Sequence, residues 1–425
     1  MTVVAAPVFP PGMVLQPLRR RPLRLPDETV AMIMAAPLPP AKAEVDQPRV
    51  SIVVVTYNQV VFTRACLATV LSDDQPADEV IVVDNASTDG TRDYLRELAK
   101  HSPRVRLVLN ERNRGFAPAV NQGLRMARGN VLVALNNDTL VPPGWLTGLL
   151  RHLNDRRVGL VGPTTNAAPN EAQVEAPYTV YGSFEAFAEQ RARQYAGRQI
   201  DVSMLTMFCL AMRRETYEEL GPLDERFEVG LFEDDDYSRR AHAAGMQVVC
   251  AEDVFVHHFG EASFGELVPS GEYAALFERN RQRFEQKWGD AWQAHQRRRS
   301  STYESLIARI RSLAERAVPE EATVLVLSKG DTLLLQLGER RVGWHFPRLA
   351  DGTYAGYYPA DGGEAIAQLE QLRTAGADHL VVPATSLWWL DHYPEFGQHL
   401  EQHYALLVHE PETGSIYFVG RRRDQ

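Results

Sequence analysis

The chain has 425 residues, 44% apolar and 24% charged, enough for a sizeable core in two or three domains of roughly 100–200 residues each, which excludes a peptide scaffold and a disordered tail. Its 45 Lys and Arg against 55 Asp and Glu leave a net charge of −10, which repels polyanions and argues against nucleic acid as the main partner. Only three cysteines occur (Cys66, Cys209, Cys250), with no metal-ligand spacing, which argues against a disulfide framework or a zinc ribbon and for a reducing compartment.

No run approaches the roughly 18–20 apolar residues that span a bilayer, and the start lacks the order of a signal peptide, so a cytoplasmic protein is expected. Residues 1–48 are rich in Pro, Ala and Arg without a sustained period, and read as a mobile or surface-draped lead-in. The basic group Arg19, Arg20, Arg21 and Arg24 reads as a solvated linker; the alternative is peripheral contact with acidic headgroups at the inner face of a membrane.

From Val50 the texture changes. Residues 50–56 are apolar and β-branched, the pattern of a strand buried on both faces, and a helix with Phe62, Cys66 and Val70 on one stripe follows. Residues 79–84 repeat the strand, and Ser87 or Thr88 is expected to cap a helix beginning near Thr91. A short strand over 105–109, a helix marked by Phe116, Val120 and Leu124, and a strand over 130–135 complete βαβ units, which implies a parallel sheet. Ligands of such sheets bind beyond the carboxyl ends of the strands. That rule selects Thr56-Tyr57-Asn58, Asp84-Asn85 and Asn136-Asn137-Asp138.

The first strand turn carries no Gly-x-Gly-x-x-Gly and no Gly-x4-Gly-Lys-Ser/Thr, which removes a dinucleotide-binding dehydrogenase and an ordinary phosphate-loop ATPase. Nor does Thr56-Tyr57-Asn58-Gln59 supply the Gly-rich, Arg-bearing loop of a sugar nucleotidyltransferase. Farther on, Glu233-Asp234-Asp235-Asp236 opens a helix that Gly245 ends. Four consecutive carboxylates repel one another and are costly unless solvated or bound, although a helix N-terminus favours negative charge.

The segments SIVVVTYNQ, EVIVVDNASTDGT, ERNRGFAPAVNQGLRMARG, VLVALNNDTLVPPGWL, GPLDERFEVGLFEDDDYSRRAHAAGMQVV and VFVHHFGEASF, in this order, resemble family-2 glycosyltransferases over residues 50–288. The resemblance implies an α/β GT-A fold, a Rossmann-like nucleotide-diphospho-sugar transferase. It also implies a nucleotide-sugar donor, a divalent cation (Mn2+ or Mg2+) and inversion at the anomeric carbon. Asp138 matches the carboxylate that holds the cation, and His258 the histidine recruited where only one acidic residue is present, with His257 competing for that role. The family motif is often Asp-x-Asp; Asn136-Asn137-Asp138 has one carboxylate, which weakens the cation site. Asp84 matches the residue that pairs with a uracil or thymine base, with Thr56, Tyr57, Asn58 and Asn85 around the same pocket. Arg114 is matched to the phosphates, and Asn121, Asn136 and Asn137 to the rest of the donor site. In the acid cluster Asp234 matches the general base, Glu233 the neighbour that orients the acceptor, and Asp236 a group that sets the pair.

Phe277, Phe284 and Trp288 share one helix face and read as core packing. Residues 293–320 read as a helical connector after a domain spanning 49–292. Residues 321–425 form a smaller C-terminal α/β domain with strands near 323–328, 379–383 and 416–419 and a helix over 365–375. Its segments Ser328-Lys-Gly-Asp, His345-Phe-Pro and residues 387–394, with Trp388, Trp389, Asp391, His392 and Tyr393, resemble a small domain appended to some bacterial glycosyltransferases. That domain is read as an accessory module, acceptor-binding or forming a homodimer. The expected activity is transfer from a UDP- or dTDP-sugar to a saccharide or lipid-linked acceptor in cell-surface glycan synthesis. The alternative is a nonenzymatic glycan- or nucleotide-sugar-binding protein of the same fold.

Overall fold

A computed structural model describes residues 7–20, 23–41, 43–47, 49–72, 78–260, 267, 270–295 and 301–420. They group into two compact units: Met1–Glu266 with Arg279–Trp292, and Leu267–Glu278 with Gln293–Gln425.

In chain order the first unit runs β1 (Arg19–Arg20), β2 (Leu23–Arg24), α1 (Asp27–Ala35), β3 (Val50–Thr56), α2 (Val60–Val70), β4 (Glu79–Asp84), α3 (Thr91–His101), β5 (Val105–Leu109), α4 (Phe116–Met126), β6 (Val131–Asn136) and β7 (Thr139–Leu140). It continues with α5 (Trp145–His152), β8 (Val158–Thr164), α6 (Tyr181–Gln194), β9 (Gln199–Asp201), β10 (Cys209–Arg213), α7 (Arg214–Leu220), α8 (Glu233–Ala243), β11 (Gln247–Phe255), β12 (His257–His258) and the later part of α9 (Glu272–Trp288).

Eight strands form one sheet in the order β5-β4-β3-β6-β10-β8-β11-β9. β3 pairs in parallel with β4 and β6, and β4 with β5. β10 runs antiparallel to β6 and β8, so the sheet is mixed. Every residue of β3 and β4 is buried, as expected of strands covered on both faces. Because side chains alternate, Ile52, Val54 and Val82 pack against Leu95, Trp145 and Leu149. Val53, Ile81 and Val83 pack on the other face against Val120 and Leu124.

The lead-in reading is corrected for residues 7–36. Phe9, Met13, Leu15, Leu25 and Ile33 form a core with Tyr181, Phe184, Phe255 and Phe259. The Phe9 and Tyr181 rings meet edge to face at 5.4 Å. Backbone bonds from Leu15 N to Thr179 O (2.8 Å) and from Tyr181 N to Met13 O (2.8 Å) fix the register. Prolines break any period in this stretch, which is why its apolar residues carry no helix or strand signature. Arg24 pairs with Asp27 at 3.3 Å. Arg21 and the side chains of Arg19 and Arg20 lie outside the described residues. The cap of α3 also differs from expectation: Gly90 is the N-cap, and Asp89 Oδ1 accepts from Thr91 N (3.2 Å) and Oγ1 (2.6 Å).

The second unit contains α10 (Ser301–Ala317), β13 (Thr323–Val326), β14 (Val342–His345), α11 (Gly362–Thr374), β15 (His379–Pro383), α12 (Trp388–His392), α13 (Pro394–His403), β16 (Ala405–Glu410) and β17 (Gly414–Phe418). Its sheet order is β14-β13-β15-β17-β16. α10, within the segment expected as a helical connector, packs on this sheet, with Leu306, Ile310 and Leu313 against Val324, Val326 and Val381. Residues 297–299 lie outside the described set. Among the described residues no helix is long and apolar enough to cross a membrane.

Phe9 is 2% exposed, so Phe9→Ala should destabilise the first unit by about 3 kcal/mol, the usual cost of deleting a buried aromatic. An unchanged denaturant midpoint would show that the N-terminal segment is not part of this core.

Candidate active site

In-register pairing brings the three selected turns together. Thr56 lies opposite Asp84 and Val55 opposite Asn136, so the carboxyl ends of β4, β3 and β6 share one edge. The turns are tied to each other. Asn58 N donates to Ser87 Oγ (2.7 Å), Thr88 N donates to Asn58 Oδ1 (2.8 Å), and Val60 N donates to Asp89 Oδ2 (2.8 Å). Asn58 and Gln59 hold φ of 52° and 62° to make this crossing.

Several expected donor-site residues are occupied by the protein itself. Asp84 has no exposure; it pairs with Arg92 Nε at 3.0 Å and accepts from Ser87 N at 3.2 Å. Asn85 donates to Gly115 O (2.9 Å) and accepts from Asn110 Nδ2 (3.0 Å). Asn137 donates to Thr63 Oγ1 (2.9 Å) and Thr56 Oγ1 (3.3 Å), and the two threonine hydroxyls meet at 2.8 Å. Asn121, fully buried, clasps Leu223 through both its N–H and C=O at 2.9 Å. These groups shape the edge. Tyr57 and Arg114 are exposed on it, and Asn136 Oδ1 is buried without a hydrogen-bond partner among the described residues.

β7 and β12 form a two-residue antiparallel ribbon, with His258 opposite Thr139 and His257 opposite Leu140. This ribbon separates the two histidines. His257 Nδ1 bonds Tyr178 Oη at 2.7 Å inside the aromatic cluster, and its ring meets Phe259 edge-on at 4.5 Å. His258 points the other way: it stacks on Phe208 (4.8 Å, 14°), and its Nε2 lies 3.3 Å from Asp138 Oδ1. Its Nδ1 lies 3.0 Å from Ala167 O, and since a carbonyl only accepts, Nδ1 carries a proton. A neutral His258 would therefore turn a lone pair toward a carboxylate, and a proton or a cation between them would resolve that conflict. Among the described residues no group of three or more His, Cys, Asp and Glu gathers around a metal position.

The acid cluster forms the first turn of α8. Leu231 and Phe232 enter it at φ of 76° and 74°, a strained approach for two apolar residues. It is held from both sides: Asn280 Nδ2 donates to Gly230 O (2.7 Å) and Leu231 O (3.2 Å), and Phe116 N donates to Val229 O (3.0 Å). A Cβ on Gly115, whose φ is 88°, would sit 2.2 Å from Glu228 O. Only glycine fits there.

Most of the cluster's charge is compensated. Asp236, with no exposure, pairs with Lys287 Nζ (2.6 Å) and Arg240 Nε (3.1 Å) and accepts from Trp288 Nε1 (3.0 Å). Asp235 Oδ1 accepts from Trp292 Nε1 at 2.8 Å. Asp234 Oδ1 caps Asp235 N at 3.0 Å. Glu233 is buried and its Oε2 has no hydrogen-bond partner among the described residues. Burial, then the neighbouring Asp234 and Asp235 charges, push its carboxyl well above the usual carboxylate range. Reading the sequence for packing alone missed this role of the closing segment. Trp288 packs against Phe284 as expected, but its N–H, with Lys287 and Trp292, also neutralises the cluster. The signal was local: two indoles and a lysine within six residues, paired with four acids.

Trp292→Phe keeps a ring against Phe232 and removes the bond to Asp235, so it should cost about 2 kcal/mol in thermal unfolding. For Glu233 the folded state holds its proton above the ordinary value of 4.5, so stability is full below that pH and declines as pH rises through the raised value. Glu233→Gln removes this loss, and its melting temperature should gain on the wild type progressively from pH 4.5 toward pH 8. Parallel curves would show that Glu233 ionises normally.

Residues 51–221 match the family model Glycosyl transferase family 2. Glycosyltransferase AglE of Haloferax volcanii is 26% identical over 224 residues, covering 52% of this chain and 70% of that protein. O-antigen biosynthesis protein RfbC of Myxococcus xanthus is 29% identical over 242 residues, covering 53% of this chain but 18% of that longer protein. Mannosyltransferase PcManGT from Pyrobaculum calidifontis, solved with GDP-Man and Mn2+, is 24% identical at a TM-score of 0.39, covering 59% of this chain and 70% of that one. The unit built on the eight-stranded sheet thus carries, over residues 51–221, the segment that matches glycosyltransferase family 2.

Proposed function

We propose that the chain is an inverting glycosyltransferase that moves a sugar from a UDP- or dTDP-sugar to a saccharide or lipid-linked acceptor in cell-surface glycan synthesis. The observation that carries this reading is the state of the acid cluster: Asp235 and Asp236 are taken up by indole and cationic partners, while Glu233 and Asp234 sit beside them in the same helical turn. In this reading Asp234 accepts the proton of the acceptor hydroxyl as its oxygen attacks the anomeric carbon in line with the departing diphosphate. Glu233, held protonated by its surroundings, orients the acceptor by donating a hydrogen bond. Tyr57 and Arg114 are the exposed groups that face the base and the phosphates. Asp84 acts in this reading by fixing the turn through Arg92 and Ser87, since its oxygens are already bonded.

Asp138 and His258, a carboxylate oxygen and an imidazole nitrogen 3.3 Å apart, would hold a divalent cation such as Mn2+ or Mg2+. When bound, such an ion neutralises charge developing on the leaving diphosphate.

Asp234→Asn should keep donor binding and lower turnover by about 100-fold or more, the usual worth of a general base. Turnover like that of the wild type would remove Asp234 from the role. EDTA should suppress nucleoside diphosphate release and Mn2+ restore it, and Asp138→Asn should lose the Mn2+ response. Donor binding by calorimetry without transfer to any acceptor of a panel would favour a binding protein of the same fold.

A further inference from the structure

In the second unit β13 runs parallel to both its neighbours, β14 and β15, so three carboxyl ends lie along one edge. The chain leaves β13 into a short turn (Thr332–Leu335) whose Leu334 packs on the face covered by α10, with Val324 and Val326. It leaves β15 into α12, whose Trp389 packs on the opposite face with Leu325, Leu327 and Leu380. Adjacent parallel strands whose connections depart to opposite faces mark the place where open α/β sheets bind ligands.

The side chains at that edge have a consistent chemistry. Ser328 Oγ lies 2.6 Å from His345 Nδ1 and accepts from Gly330 N at 3.3 Å. Ser386 Oγ donates to Leu327 O at 3.2 Å. These three side chains are buried and form a polar floor. Lys329 crosses from the end of β13 to the end of β15, where its Nζ donates to Thr385 O at 2.6 Å and lies 5.7 Å from the centroid of the Trp388 ring. Lys329 holds φ of 52° and Gly330 of 86°, a conformation that a lysine adopts only at a cost. Burial first, then the positive charge of Arg348, lowers the pKa of His345, so the imidazole is neutral and a second cation stands near it. Asp331 is engaged by Tyr303 Oη (2.8 Å) and Leu333 N (2.8 Å).

We propose that this edge is a second binding site, distinct from the catalytic one, for a saccharide carrying a phosphate. Lys329 and Arg348 meet the phosphate and the Trp388 ring meets an apolar face of the sugar, while the buried floor of Ser328, His345 and Ser386 holds the two strand ends in place beneath them. Such chemistry is offered both by a free sugar phosphate and by the sugar next to the phosphate of a lipid-linked acceptor.

The test is calorimetry on the intact chain with glucose 1-phosphate, glucose and inorganic phosphate as probes. Glucose 1-phosphate should bind more tightly than either of its parts. Lys329→Gln should weaken it by about tenfold or more, Lys329→Arg should restore it, and Trp388→Phe should retain part of it. Melting curves confirm that each variant is folded. Binding should persist in Asp138→Asn and Asp234→Asn, which separates this site from the catalytic one. Absence of binding, equal binding of inorganic phosphate, indifference to Lys329→Gln, or loss in Asp138→Asn would each overturn the proposal. A dodecyl-diphosphate-linked N-acetylglucosamine binding tighter than glucose 1-phosphate assigns the site to an acceptor; the reverse order assigns it to a free sugar phosphate.

Discussion

The strand register of β3, β4 and β6 is the constraint on which the first unit depends. β3 and β4 are buried at every position, so a shift of register would disturb close packing on both faces and part the buried Ser51 hydroxyl from the Glu79 carboxylate it donates to at 2.6 Å. That cost places Thr56 beside Asp84 and Val55 beside Asn136, and three polar turns then meet on one edge. Once there, they cross-link: Asn58 to Ser87 and Thr88, Asn137 to Thr56 and Thr63, Asn85 to Gly115 and Asn110. The apolar core thus sets the position of the edge, and the asparagines set its rigidity.

A second constraint is charge. The acids Glu233, Asp234, Asp235 and Asp236 stand in one helical turn, and the helix dipole offsets only part of their mutual repulsion. The segment Arg279–Trp292 supplies the rest through Lys287, Trp288 and Trp292, together with Arg240 from α8 itself. Asn280 and Gly115 hold the loop that leads into the turn. The result is selective: Asp235 and Asp236 are locked by specific donors, and burial lifts the Glu233 carboxyl above the usual carboxylate range.

Much of this was legible in the sequence. Strands β3, β4, β5 and β6 and helices α2, α3, α4 and α8 follow from β-branched runs, apolar stripes and turn residues. The choice of Asp138 and His258 followed from family resemblance, and the structure separates His258 from His257 through a ribbon of two residues per strand, too short to leave a periodic signal. Three things were hidden. The docking of residues 7–36 uses irregularly spaced side chains between prolines, so burial there has no period. The reversed strand β10 is short, and its place between β6 and β8 is set by long-range pairing. The asparagines Asn85, Asn121 and Asn137 have the residue type expected of ligand contacts, and only geometry shows that their amides are spent on the backbone and on neighbouring polar side chains.

That last point bears on how the edge can work. An asparagine saturated by protein partners cannot turn to a ligand without leaving a buried donor or acceptor unpaired, which costs about 1–3 kcal/mol per group. Asp84 is held more firmly still, because releasing its carboxylate would also strip Arg92 of its charge partner. The side chains exposed on this edge are those of Tyr57 and Arg114. The buried polar groups behind them act by keeping those few side chains where the strand ends put them, so this edge presents a rigid rim rather than a set of free amides.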